Sequence, residues 1–300
     1  MPAPFRVGSR ASLLARTQTE WIAGRLGDGV ALVWIRSEGD ADTTRPLSAM
    51  GGTGVFTAAL HQALREDRCD AAVHSLKDLP VAPEAGVVLG AVPVREDARD
   101  ALLSRGGETL EGLRRGAVVA TGSPRRAAQL LRARPDLAIT GLRGNVDTRL
   151  RRLKEGAFDA MVLAVAGLKR LGRDDEIAEM LAPEVMLPAA GQGALAITIR
   201  EGDTRAEDRV RRVADVRAAA AVTAERAALH GLSAGCHAPV GALAEVADGV
   251  VRLRVRVLSL DGRTALEETG SAGLAEADAL GHAVAESLLA RGAAPLVAAT

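Results

Sequence analysis

The sequence predicts an α/β protein of two similar lobes with mixed, mostly parallel sheets, followed by a small α+β domain. Three observations predict it. Short apolar runs alternate with amphipathic helices over residues 5–75, in the order β-α-β-α-β. The alternation restarts at residue 117 and continues to residue 164. The tail then changes period, because "VVRLRVRVLSL" (250–260) alternates apolar and basic positions strictly. A chain of 300 residues has room for two or three such units. With three Phe, two Trp and no Tyr, the cores must be built from Ala, Val, Leu and Ile.

In chain order, "FRVGS" (5–9) reads as a strand, 11–26 as a helix and "VALVWI" (30–35) as a second strand. "VFTAALHQAL" (55–64) places Val55, Phe56, Ala59, Leu60, Ala63 and Leu64 on one helical face, and "DAAVHS" (70–75) is a third strand. The second lobe repeats the order with "AVVAT" (117–121), helix 124–133, "LAITGL" (137–142), helix 146–155 and "FDAMVLA" (158–164). Two such lobes suggest a cleft between them. "MGGTGVF" (50–56) lacks the full GxGxxG pattern and a following GK[ST], so it reads as a flap rather than a nucleotide loop. "PAAGQGALAI" (188–197) reads as a tight crossover between lobes, with Gln192 near the hinge. In the tail, Val251, Leu253, Val255 and Val257 share one face, and Arg252, Arg254 and Arg256 form a solvated one. Asp261-Gly262 turns the chain into another strand, and a helix follows over about 275–290.

The N-terminus has no apolar run after a basic start, and "AMVLAVAGL" (160–168) is too short to span a bilayer, so a cytoplasmic protein is expected. Two cysteines 167 positions apart, with no CxxC, argue against structural zinc or a disulfide framework. Net charge is zero, yet Arg114 to Lys154 holds eleven basic residues against Asp136 and Asp147. Such a band inside a neutral protein suggests an anionic small ligand. Five aromatics leave little for stacking nucleic-acid bases.

Four stretches could carry chemistry. Lys77, one of only three lysines, and Asp78 lie just past a strand end, where open α/β sheets bind ligands. In "ATGSPRRAAQLL", Ser123 is an N-cap and Pro124 takes the first helical position. Arg125 and Arg126 then fall in the first turn, where the helix dipole disfavours cations unless an anion compensates. "LRGNVDTRL" repeats the device with Arg143, Asn145 as N-cap and Arg149, and "VGSRASLLA" places Arg10 at a third helix entrance. Together these suggest a polycarboxylate ligand. Cys69, between a helix and a strand, reads as buried and inert. Cys236 lies on a loop marked by Gly231, Gly235, Pro239 and Gly241. A nucleophilic Cys236–His237 pair has poor geometry, because adjacent side chains rarely face each other. An attachment point for a bound group fits the glycines better.

These motifs, in this order, resemble the porphobilinogen deaminase (hydroxymethylbilane synthase) family over about Val7 to Arg291. They are "GSRASLLA", "AVHSLKDLP", "SPRRAAQL", "LRGNVDTRL", "VLAVAGLKRLG", "LPAAGQGALAI", "TAERA" and "GCHAPVG". The resemblance implies two periplasmic-binding-protein-like lobes, 1–93 plus 194–212 and 94–193, and an α+β domain at 216–300 bearing the cofactor cysteine. It implies a dipyrromethane cofactor on Cys236 through a thioether, held also by Lys77, Thr121, Ser123, Arg125 and Arg126. It implies substrate binding by Arg10, Ser12, Arg143, Arg149 and Arg170, and catalysis by Asp78. The implied reaction adds four porphobilinogen units with loss of ammonia, then releases hydroxymethylbilane by hydrolysis. No metal, nucleic acid, membrane or obligate protein partner is expected, and the implied state is a monomer. Three departures stand out: the 45–56 flap carries no lysine, His237 stands where glutamine is usual, and Pro124 replaces a larger apolar residue.

Overall fold

In the computed structural model of the chain, which describes residues 3–35, 57–235 and 238–298, the first apolar runs pair as parallel strands. β1 (Phe5–Arg10) leads into α1 (Leu13–Leu26), β2 (Val30–Ile35), α2 (Ala58–Arg65), β3 (Ala71–Ser75) and β4 (Val87–Ala91). The second set is β5 (Asp100–Ser104), β6 (Val118–Ala120), α3 (Pro124–Ala133), β7 (Ala138–Thr140), α4 (Val146–Lys154), β8 (Ala160–Ala164), α5 (Val165–Arg170) and β9 (Glu179–Leu181). β10 (Leu195–Arg200) then returns to the first sheet, followed by α6 (Thr204–Val210) and α7 (Val216–Gly231). β11 (Val240–Ala247), β12 (Val250–Leu258), β13 (Ala265–Gly273), α8 (Ala277–Ala290) and α9 (Ala294–Ala298) complete the chain.

The two α/β sheets share one plan. The first has the order β2-β1-β3-β10-β4 and the second β7-β6-β8-β5-β9. In each, three parallel strands meet a fourth that runs antiparallel and bonds a fifth on its far side. Mixed sheets of this kind are what the repeated β-α-β-α-β pattern predicts. The pattern could not show β5, β9 and β10, whose partners lie far away in sequence.

The chain divides into two compact units, residues 1–96 with 194–219 and residues 97–193 with 220–300. In the second unit, Ala101, Leu103, Met161 and Leu163 pack on one face of the sheet, and Leu102, Val119, Ala160 and Val162 on the other. Burial on both faces explains the unbroken apolar runs of those strands. The three-stranded sheet β11-β12-β13 turns Val251, Leu253, Val255 and Val257 into its own core with Leu280, Val284 and Leu288 of α8.

The opposite face of β12 departs from the expected solvated ladder. Arg256 is 7% exposed. It donates to Glu267 at 2.5 Å, to Gln129 Oε1 on α3 at 2.9 Å and to the Glu184 carbonyl at 3.0 Å. Arg254 reaches the Glu184 carboxylate at 3.1 Å. Strict alternation shows which residues share a face, but not whether another element covers it. The predicted turn at Asp261-Gly262 packs against α3 as well. Gly262 has φ +72°, and a Cβ there would collide with the Ala128 carbonyl.

Candidate functional site

In the first unit, site residues gather where parallel strands end. β1 ends in Arg10, and Ser12 caps α1 by accepting from the Ala15 N–H at 3.4 Å. β3 ends in Ser75 and runs into a single 3₁₀ turn, Leu76–Asp78, before Pro80 stops it. Arg10, Ser12, Gln18, Thr57, His74, Ser75 and Asp78 line one cavity of about 80 Å³. Asp78 is half-buried there, while Lys77 beside it is exposed. Gln18 Nε2 donates to Ser75 Oγ at 3.1 Å, which fixes the cavity wall.

His74 in that lining belongs to a histidine pair that sequence reasoning did not single out. The rings of His61 and His74 meet edge to face at 5.3 Å. His61 Nδ1 lies 2.6 Å from Glu84, and His74 Nε2 lies 2.9 Å from Thr198 Oγ1. Burial, with His61 and Arg10 nearby, pushes the His74 pKa down to about 3, so its ring is neutral. Its place in "AVHSLKDLP" marks it only as an inward-pointing strand residue.

The second unit repeats the arrangement at the ends of β6, β7 and β8. Thr121 Oγ1 accepts from the Ser123 N–H at 3.1 Å, and Ser123 caps α3 with Pro124 at its first position. Asn145 caps α4, accepting from the Thr148 N–H at 2.9 Å, and Arg149 follows one turn in. Arg170 closes α5 and donates to the Gly193 carbonyl at 2.7 Å. Arg149 is half-buried, and its Nε donates to the Gly144 carbonyl at 2.7 Å. Burial and the like charges of Arg126 and Arg143 lower its pKa to about 10. Among the described residues no carboxylate pairs with Arg143 or Arg149.

The anion that the first turn of α3 demands is supplied, in part, by the chain itself. Asp100, fully buried at the start of β5, accepts from Arg125 Nη1 at 2.7 Å and from Arg126 Nη2 at 2.6 Å. Gln192 Nε2 adds a third donor at 2.9 Å. Burial alone would raise the Asp100 pKa, but the two guanidiniums overcome it and hold the carboxyl ionised. Two cations share one anion, so a positive charge is left over. Removing either Arg would leave Asp100 paired with the other and take away one charge-assisted contact, at a cost of about 1.5–3 kcal/mol. Asp100 escaped the sequence reading, its only signal being an acid placed directly before the apolar run "ALL".

Cys69 is buried, and burial pushes its thiol up to about 11, as its inert reading requires. Cys236, His237 and the 45–56 flap lie outside the described residues. No helix among the described residues is long and apolar enough to cross a membrane.

The family model described as "Porphobilinogen deaminase, dipyromethane cofactor binding domain" matches residues 5–208, and its C-terminal domain model matches residues 219–290. A porphobilinogen deaminase of Leifsonia xyli is 49% identical, the match covering 97% of this chain and 94% of that protein. One from Syntrophotalea carbinolica is 45% identical over 98% of this chain and 95% of that protein. A YaeC-family lipoprotein structure from Enterococcus faecalis overlaps only loosely, with a TM-score of 0.43 and 15% identity over 70% of this chain and 90% of that one.

Proposed function

We propose a role for each of these residues on one premise: the chain belongs to the porphobilinogen deaminase family. It is accordingly a transferase of tetrapyrrole biosynthesis with a dipyrromethane cofactor binding domain. The observation that carries the residue roles is the unspent positive charge of the second unit. Arg125 and Arg126 share one internal carboxylate, Asp100, and among the described residues no carboxylate pairs with Arg143 or Arg149, so four charges less one leave three. A dipyrromethane carrying two carboxylates on each ring fits such a surplus, and planar guanidiniums bind carboxylates through paired N–H donors.

Arg125, Arg126, Thr121, Ser123 and Lys77 would hold the cofactor, with Cys236 as its thioether anchor. When bound, the group supplies the pyrrole carbon to which the first substrate is joined. Arg10, Ser12, Arg143, Arg149 and Arg170 would hold the acetate and propionate groups of incoming porphobilinogen. Asp78 is the catalytic residue of this reading. A half-buried carboxylate among anionic ligands is repelled until it meets a cation, and loss of ammonia makes the substrate methylene cationic. The same carboxyl can pass a proton to the leaving amine. Four additions and a hydrolysis would then release hydroxymethylbilane.

The reading further takes residues 216–300 as a separate domain carrying Cys236, and the enzyme as a cytoplasmic monomer with no nucleic-acid, membrane or protein partner. Intact-protein mass tests its centre. Purified protein should exceed the sequence mass by two linked pyrrole units, and Cys236→Ser should not. An active wild type at the bare sequence mass would refute the anchor.

A further inference from the structure

Among the described residues, Asp100 touches both first-turn guanidiniums of α3, Arg125 and Arg126, and the segment just ahead of β10. It accepts from Arg125 Nη1, from Arg126 Nε at 3.0 Å and Nη2 at 2.6 Å, and from Gln192 Nε2 at 2.9 Å. Arg126 thus spends its side edge, Nε with Nη2, on Asp100, and gives Nη1 to the Val162 carbonyl at 3.0 Å. Arg125 spends only Nη1, on Asp100 and on the Leu187 carbonyl at 2.7 Å. Its Nε and Nη2, the edge that grips a carboxylate with two parallel bonds, donate to nothing among the described residues.

We propose that Asp100 is a positioning residue, which presets the Arg125–Arg126 pair in one orientation with one surplus charge and leaves the free edge of Arg125 for a ligand carboxylate. The inference rests on the reading of Arg125 and Arg126 as cofactor ligands. Without the carboxylate, two adjacent guanidiniums repel, and the pair must be ordered by the ligand itself, which weakens binding. Gln192 acts through Asp100. It bridges Asp100 to the Ala98 carbonyl at 2.7 Å and so fixes the carboxylate plane.

The test follows cofactor assembly by intact mass, adding porphobilinogen to apoprotein of wild type, Asp100→Asn, Asp100→Glu and Gln192→Leu. Thermal unfolding is measured on each. Gln192→Leu removes a neutral hydrogen bond to a charged group. It should keep the wild-type Tm within a few degrees and raise the porphobilinogen concentration for half-maximal loading about tenfold. Asp100→Glu keeps the charge but displaces it, and should raise that concentration at least as much. Asp100→Asn should load least, whatever its stability. A purely structural Asp100 predicts instead that loading tracks Tm across the series. Wild-type loading in folded Gln192→Leu or Asp100→Glu overturns the proposal. A wild-type apoprotein that gains no mass refutes the anchor reading on which the proposal stands.

Discussion

Asp78 and Asp100 carry the same functional group in opposite settings. Asp78 is half-buried on a short turn and lines a cavity, whereas Asp100 is fully buried and pinned by three side chains. The first is free to meet a transient cation, so Asp78→Asn should fold normally yet lose at least about 100-fold in turnover. Single-turnover ammonia release from cofactor-loaded protein measures this, and a near-normal rate would remove Asp78 from the mechanism. Its position was legible, since strand-end loops hold ligands and Lys77 beside it is a rare choice. Asp100 was not legible, because its partners at 125, 126 and 192 are tertiary neighbours that no sequence spacing announces. His74 gives a residue-scale prediction in pH. Its folded pKa, about 3, lies below the unfolded value near 6.5, so between those limits the unfolded chain binds a proton that the native one refuses. Stability should therefore fall as pH is lowered through that window, by up to about 1.4 kcal/mol per unit. Urea unfolding from pH 7 to 5 should show a shallower slope in His74→Asn.

At the scale of elements, legibility depended on length and on caps. Ser123 and Pro124 open α3 where the sequence put it, and the helix runs to Ala133 as read. β9 has three residues and α7 is an alanine-rich helix with no clear apolar stripe, so neither announced itself. β12 was legible as an alternating strand, but its polar face was assigned to solvent. The bond from Arg256 to Gln129, with those to Glu267 and the Glu184 carbonyl, makes that face a seam that includes α3. Arg256→Ala should leave the Glu267 carboxylate without its Arg256 donor and Gln129 Oε1 with the Leu187 N–H alone. It should cost about 2–4 kcal/mol, read as a lowered urea midpoint, whereas Arg252→Ala should change little.

For the molecule as a whole, the shared sheet plan repeats one chemical layout. Arg10 ends β1 and Ser12 follows it, Ser123 and Arg125 follow β6, Asp78 follows β3 and Arg170 follows β8. The sequence showed this duplication as a restarting alternation, but not the strand exchange that completes the first sheet. β10 is an interior strand of that sheet, bonded to β3 and β4, yet it is made about a hundred residues after β4. The order in which a ribosome releases the chain then matters. The sheet at residues 100–181 is contiguous, whereas the one begun at residue 5 must wait, with β3 and β4 unbridged, until residue 200 has emerged. Birth order and folding order are therefore reversed for the two lobes, contrary to the usual N-terminal-first course. Stalled nascent chains that expose residues 1–193 should remain protease-sensitive within residues 1–96, and chains exposed to residue 219 should gain protection there.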